Sequence, residues 1–415
     1  MDGNFWGLIF YTYVDLFRES LLTVPSALWY VLPPFLIFIT WQTWLDYAQA
    51  LFIQKMDWVL LEIRIPKEIT KPPQAMEIVL EIFNQSNDGT FIERWWQGFV
   101  RQWFSLEIAS IGGNIHFYVR TIKKFKNAIE SQIYSQYSDA EVFEVPDYTL
   151  DVPYAQHGGD WNLWATNFKL DKDDFYPIKT YVDYELDKSS TKEEFKVDPL
   201  TPVLELLGSI GPEEQVWMQI LLMASKKRFN KKGTWFEMVD WKENAKEEIN
   251  KLQKRDKKIK QGEFPNPGEF TQTPQEKIAA EAISRSMAKT GFDCGYRVVY
   301  LAKTDKFNPG IISGIIGTVK QYSSAHLNGF KLGDKVGFDY PWEDITGNRI
   351  KRIRWQFFDA YRKRSYFYAP YRKKPLVLNT EEVATIYRFP GLVASTPSLI
   401  RTESKRSEPP TNLPI

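Results

Sequence analysis

Cysteine is almost absent from this chain: Cys294 is its one thiol in 415 residues. That excludes an internal disulfide and any cysteine-built zinc or iron–sulfur site, and it fits a reducing compartment or simple disuse of the residue. Cys294 reads as a core position. Histidine is nearly as scarce, and His116, His157 and His326 lie too far apart for a zinc-binding helix or a hydrolase triad. With 53 basic and 52 acidic residues the formal net charge is +1. Affinity for nucleic acid or acidic lipid must therefore come from a local patch. No glycine-rich phosphate loop followed by Lys and Ser or Thr is present. The nearest stretch, "PGIISGIIGTVK", spaces Gly310, Gly314 and Gly317 three and four apart, which suits close helix packing. "LDKDD" at 170–174 lacks the glycine and terminal glutamate of a calcium loop and reads as a solvated turn. Catalytic residues, metal ligands and cofactors are accordingly not expected, and the chain reads as non-enzymatic.

Aromatic residues, by contrast, are abundant, at 15 % with 15 tryptophans. Such an excess belongs at interfaces or at a bilayer boundary. No charged side chain lies between Glu19 and Asp46, and the run "ALWYVLPPFLIFITWQTWL" (27–45) has the length of a hydrocarbon core at about 1.5 Å per residue. An N-terminal membrane helix is therefore expected, with Trp29, Tyr30, Trp41 and Trp44 near its ends and a kink at Pro33-Pro34. A signal peptide fits less well, because Asp2, Asp15, Arg18 and Glu19 precede the run and no small-residue cleavage site follows. A buried core hairpin of 5–17 with this run is the other alternative. Arg18 before the span against Lys55, Arg64 and Lys67 after it places the bulk of the chain in the cytoplasm, single-pass in the inner membrane. The aromatic segment 5–17 is too short to cross and reads as an interfacial helix on the lipid bilayer.

Beyond the anchor (1–55), period-two and helical patterns alternate. "WVLLEIRIP" reads as a strand and "PPQAMEIVLEIFNQ" as a helix. "QWFSLEIASIGGNIHFYVRT" reads as a hairpin turning at Gly112-Gly113-Asn114, and helix "IKKFKNAIESQIYSQY" and strand "AEVFEV" follow. This order, βαββαβ, predicts a ferredoxin-like domain over 56–150. A decorated repeat is expected over 151–337. It would comprise strand "IKTYVDYEL", helix "PLTPVLELLGSI", strand "EQVWMQILLMAS", a charged insertion at 226–272, helix "PQEKIAAEAISRSMAKT", strand "GYRVVYLAK" and helix "PGIISGIIGTVKQYSSA". The fold class is thus α+β: a membrane helix followed by two ferredoxin-like units, the second with a helical insertion.

The remainder, 338–415, holds the densest local charge. Arg349, Lys351, Arg352, Arg354, Arg362, Lys363, Arg364 and Lys373 form, with their neighbours, a basic run interleaved with Trp355, Phe357, Tyr361 and Tyr366 against one acid, Asp359. Those eight are candidate nucleic-acid contacts, since cations pair with phosphates while rings stack on bases. A helix with an aromatic core face and a solvated basic face gives the same pattern, as Ile353, Phe357 and Tyr361 at i, i+4, i+8 illustrate. Contact with anionic lipid is a third reading. After the helix signal Asn379-Thr380-Glu381-Glu382 comes a Phe389-Pro390-Gly391 stop and a polar, proline-punctuated tail that reads as a linker.

"VLNTEEVATIYRFPG", "TPSLIR" and "SKRSEPPTNLP", with "LEIRIPKE", "WFSLEIASIGGNIHFYVR" and "PLTPVLELLGSIGPEEQVWMQILL", resemble the membrane-proximal region of conjugation and type IV secretion ATPases of the coupling-protein, HerA/FtsK-related superfamily. In those proteins such a region precedes a hexameric P-loop motor that moves DNA or protein across an envelope, and here the motor's ATP-binding residues are missing. The resemblance implies an accessory or split subunit of a conjugation-like or type IV secretion machine, arranged as a homo-oligomeric ring and orienting a P-loop ATPase on a separate chain. The alternative it leaves is a module that contacts transferred DNA through the 349–374 surface.

Overall fold

The computed structural model describes residues 30–66, 71–154, 159–188, 197–230, 237–254, 272–338, 340–391 and 401–402. The segment 5–17 and His157 lie outside these residues. Two compact units divide the chain, one formed by 1–55 with 88–100 and the other by 56–87 with 101–415.

In the first unit a helix, α1, runs over 30–54. Pro33 and Pro34 lie within its first described turns. It continues through Asp46, and Gln42 donates to Asp46 Oδ1 at 3.3 Å while Thr43 Oγ1 donates to the Ile39 carbonyl at 2.8 Å. These polar residues interrupt the apolar run. No helix among the described residues is long and apolar enough to cross a membrane. The expected membrane helix and the single-pass inner-membrane placement built on it are overturned by this finding.

Before the next helix of this unit the chain enters the second unit as strand β1 (Trp58–Pro66) and helix α2 (Gln74–Leu80). The first unit is then completed by α3 (Phe91–Trp95), which Thr90 and Glu93 start with a reciprocal capping box. Trp95 stacks on Trp41 at 6.4 Å, Trp96 meets Trp44 at 6.3 Å and Phe99 meets Phe52 at 5.3 Å. Gly98 makes this approach possible. It sits at φ +71°, and a Cβ there would lie 2.3 Å from the Ala48 backbone. Gly98→Ala is expected to cost this unit at least about 1–2 kcal/mol from the left-handed backbone alone, with the clash added. The check is loss of near-ultraviolet circular dichroism from its tryptophans at lower urea than in the wild type.

The second unit is built on one continuous sheet. Its first half contains β1, β2 (Trp103–Ile111), β3 (Asn114–Ile122) and β4 (Glu141–Val145), with α2 and α4 (Lys126–Gln136) between them. Gly112 and Gly113 both have positive φ, 57° and 86°, the geometry of a tight β2–β3 hairpin. The second half contains β5 (Trp161–Leu170), α5 (Thr201–Gly208), β6 (Glu214–Ala224), the short hairpin β7–β8 (Phe229–Asn230, Met238–Val239), α6 (Trp241–Leu252), α7 (Pro274–Met287), β9 (Gly291–Lys303), α8 (Pro309–Lys320) and β10 (Phe330–Lys335). Helix α9 (Asn348–Arg362), strand β11 (Leu376–Asn379), helix α10 (Thr380–Ile386) and the two-residue β12 (Arg401–Thr402) follow. Pairing runs β10-β5-β9-β6-β2-β3-β1, with β4 and β12 on β1 and β11 on β9. Both terminal strands, β10 and β4, are short, and β10 carries a register shift between Leu332 and Lys335.

Each half lays out its strands in the same order, the fourth beside the first, then the third, then the second. They are nevertheless not two ferredoxin-like units. β2 and β6 pair antiparallel along their length, from Trp103↔Met223 to Ile111↔Gln215, so the sheet runs on without a boundary near residue 150. Both strands are covered on both faces, since β2 is buried from Trp103 to Ser110 and β6 from Val216 to Ala224, as suits strands in the middle of a sheet.

A second difference concerns "IKTYVDYEL", which forms a turn at 181–187. Thr180 and Asp183 bond each other's backbone, Thr180 N to Asp183 Oδ2 at 2.9 Å and Asp183 N to Thr180 O at 3.0 Å, and this local closure wins over a strand. The strand is instead "WNLWATNFKL", β5. The insertion supplies α6, whose Trp241 and Ala245 pack with Ile283 of α7 and Val377 of β11.

The segment that reads as a lead-in to a linker is core. Every residue from Leu376 to Pro390 is buried. β11 extends the sheet along β9, and Asn379 and Glu382 cap α10 reciprocally. Tyr387 donates to the Tyr118 carbonyl at 3.2 Å, and Phe389 packs edge-on to Phe117 and Tyr137. Arg388 is paired with Asp198. This strap binds the two halves of the sheet from one face.

Candidate functional site

Helix α9 starts after Gly347, and Asp344 Oδ2 accepts from Ile350 N at 2.7 Å. Its buried face, Phe357, Phe358 and Tyr361, packs on the sheet, where Trp217 contacts Phe358 and Tyr361. The eight candidate nucleic-acid residues are not one surface. Arg349, Lys351 and Arg352 are exposed at the helix start, beside the stacked and exposed pair Tyr340 and Trp342, whose rings are 4.7 Å apart. Arg354 is half-buried, and Arg362 lies 5.7 Å above the Phe358 ring. Lys363 is held by Asp359 at 2.6 Å and Lys373 by Asp334 at 2.8 Å. Arg364 is fully buried. It occupies the core, out of reach of any phosphate.

Arg364 belongs to a polar row that crosses the sheet. Glu62 of β1, Tyr118 of β3, Glu107 of β2, Gln219 of β6, Arg297 of β9 and Asn167 of β5 are successive cross-strand partners on one face. All six are buried. Arg297 donates to Asn167 Oδ1 at 2.9 Å, to Gln219 Oε1 at 3.4 Å and to the Ser365 carbonyl at 3.1 Å. Gln219 Nε2 donates to Glu107 Oε1 at 3.0 Å, and Tyr148 Oη donates to Glu107 Oε2 at 2.8 Å. Arg364 closes the row from above with a two-pronged contact to Glu107, at 2.9 and 3.1 Å, and a second to Asp147. At the far end His116 bonds Glu62 at 2.7 Å. Burial alone would raise the Glu107 carboxyl, but Arg364 with Ser105 and Tyr148 holds it below the usual carboxylate range. Burial lowers Arg297 to about 10, with Tyr366 and Tyr361 offsetting only part of it. Sequence reading missed this row because its members come from six strands, one residue each. The only local sign is a charged or amide residue inside apolar strands, as in "WFSLEIASI".

A cleft of about 480 Å³ opens between β5, α6 and β11, lined among others by Phe168, Phe175, Trp241, Lys172, Asp173 and Lys374. Below it Arg228 bridges Asp174 at 3.3 Å and Asp293 at 3.4 Å. Burial pushes Asp293 up to about 6 and raises Asp174 as well. No group of three or more His, Cys, Asp or Glu among the described residues is placed to hold a metal ion. His116 serves the polar row, and Cys294 is a buried thiol in β9.

A second carboxylate cluster surrounds the strap. Glu381 accepts from Thr180 Oγ1 at 2.5 Å and pairs with Arg285 at 3.1 Å, and Lys289 reaches Glu77 at 2.6 Å. Burial pushes Glu382 up to about 8, against the pull of the backbone N–H groups of Asn379 and Ile178. Its raised value means the folded state keeps a proton that the unfolded chain releases near 4.3. Stability from this group is therefore greatest below about pH 4, falls as pH rises, and levels off above about pH 8. Glu382→Gln is expected to flatten the slope between pH 7 and 8, read as the urea midpoint against pH, because Asp293, at about 6, has released most of its proton by pH 7.

The first unit presents different chemistry. Tyr30, Val31, Phe35, Leu36, Ile37 and Phe38 of α1 are exposed, as are Phe91, Ile92 and Trp96 beside α3. Between the two helices lies an apolar cleft of about 460 Å³, lined by Trp41, Phe91, Ile92, Trp95 and Trp96.

Across residues 41–386 the chain matches the model of DUF8128, a domain of unknown function. It belongs to this family. The DUF8128 span takes in the whole polar row and ends at the last residue of α10. It begins inside α1, so all of the exposed apolar residues at 30–39 precede it. No curated protein matches the chain.

Proposed function

We propose that this chain is a non-enzymatic assembly component of a conjugation-like or type IV secretion machine, which recruits and orients a P-loop ATPase carried on a separate chain. The observation that supports the reading is the contrast between the two units. The second ties Arg364, Glu107 and Asp147 into an internal network, while the first offers solvent a dense set of apolar and aromatic side chains. Patches of that size mark interaction sites. The resemblance to the membrane-proximal region of secretion ATPases supplies the identity of the partner. Mixing the purified full chain with a P-loop ATPase of a conjugation or type IV secretion system tests the proposal. A stable complex on size exclusion, lost when Trp96 and Phe91 are changed to serine, is expected. Two separate peaks at micromolar concentration would sink it.

A second reading, contact with transferred DNA, is favoured by one observation: the Tyr340–Trp342 stack beside exposed Arg349, Lys351 and Arg352. Rings on which bases stack, next to cations, are the chemistry of single-strand binding. On this reading Arg349→Gln with Arg352→Gln weakens single-stranded DNA binding and reduces the slope of log K against log salt by about 1.4, at ~0.7 per contact. Arg362→Gln and Lys373→Gln leave it unchanged. An unchanged slope in the first pair excludes this surface.

A further inference from the structure

The exposed residues of α1 are not confined to one stripe. Tyr30, Val31, Leu32, Phe35, Leu36, Ile37, Phe38 and Ile39 are all exposed, the least of them 42 %, so they surround the first two and a half turns on every side. A helix apolar all round is stable only when covered. The geometry points to other copies of this chain as the cover: we infer that α1 is a self-association helix, packed against the same helix of at least two neighbouring copies.

Three features on the molecule favour this occupant. The first is area. Three aromatic and five aliphatic side chains stand 42–79 % exposed there, and with about 150–250 Å² for each aromatic the patch comes to several hundred Å², the scale of the roughly 800 Å² that a standard interface takes from one partner. The second is charge. From 30 to 54 the one charged residue is Asp46, so copies meet along 30–39 without like-charge repulsion. The third is shape, since the apolar cleft of Trp41, Phe91, Ile92, Trp95 and Trp96 lies one to two turns further along α1 and offers a socket for an aromatic side chain of a neighbour. A bilayer fits less well in either mode. The helix is not apolar enough to span, and a helix lying in the interface carries Lys or Arg on its polar face, of which 30–54 has none. One partner helix covers a single seam, which leaves the opposite side wet, so three or more copies are required.

The inference does not rest on an ATPase partner and is tested on the full chain alone. Sedimentation of the purified protein is expected to show three or more copies. Ile37→Glu with Phe38→Glu, two exposed positions that leave the fold's packing untouched, is expected to sediment as a single chain with an unchanged melting temperature. Ile37→Cys supplies a second readout, because the natural Cys294 is buried and does not compete. Under mild oxidation it should form a disulfide-linked pair of chains that the wild type does not. A wild type that sediments as a single chain overturns the inference, whether its α1 is covered by residues 1–29 or binds phosphatidylcholine–phosphatidylglycerol vesicles in flotation. Assembly that survives Ile37→Glu with Phe38→Glu, or absence of the Ile37→Cys crosslink, overturns it as well.

Discussion

Arg364→Met is expected to destabilise the fold by about 3–5 kcal/mol, the cost of stranding a buried charge whose partner has been removed. Glu107 would be that charge. It is fully buried, and Arg364 gives it two of its hydrogen bonds. Asp147, partly open to solvent, can hydrate once its share of the guanidinium is gone, so most of the cost falls on Glu107. Adding Glu107→Gln should recover a large part of the loss, because Gln219 and Tyr148 still surround that position and no uncompensated charge is left. The measurement is a urea midpoint at constant m-value for the two single variants and the pair. A surface arginine reserved for phosphate would give a different result, with midpoints unchanged to within about 0.5 kcal/mol.

Ending the chain after Pro375 is expected to prevent folding altogether. The lost segment carries the buried strap Leu376–Pro390, and without it β9 loses its β11 partner while α2, Phe117 and Tyr137 lose their cover. The truncated protein should lack near-ultraviolet circular dichroism and a cooperative urea transition. Leu378→Ala gives a graded version of the same test. Its side chain is fully buried, and its loss should cost about 2–5 kcal/mol. A truncated chain that unfolds cooperatively at the wild-type midpoint would show the strap to be dispensable.

These two segments also mark where the sequence was readable and where it was not. Strand β1 and the Gly112-Gly113 turn are visible in the residues, because period-two patterning and positive-φ glycines are local signals. Helices α7 and α8 are as plain, each started by a capping residue and a proline. The joining of β2 to β6 is not local. Nothing in "WFSLEIASI" names its neighbour 112 residues away, and only Glu107 facing Gln219 betrays it afterwards. Arg364 misleads for a related reason. A basic run looks the same whether its charges meet solvent or one of them turns inward at φ +49° to meet an acid from a distant strand. "NTEEVATIYRFP" misleads in the opposite sense, since its acids and arginine suggest a surface while Thr180, Arg285 and Asp198 wait to bury them. In α1, an apolar stretch of nearly the right length ends in the amides and carboxylate of Gln42, Asp46 and Gln49, too polar for a span.

The short outer strands of the sheet bear on how copies can gather. β10 is six residues long, bends at its register shift, and brings Lys331 and Lys335 to the rim, while β4 has five residues with Glu144 tied to Lys126. Neither rim offers a long, flat ladder of open amides onto which another chain could add a strand. Growth by edge addition, the route to filaments and amyloid-like stacks, is thereby closed off. If copies gather at α1 as inferred, these rims add no second border along which they could polymerise strand by strand.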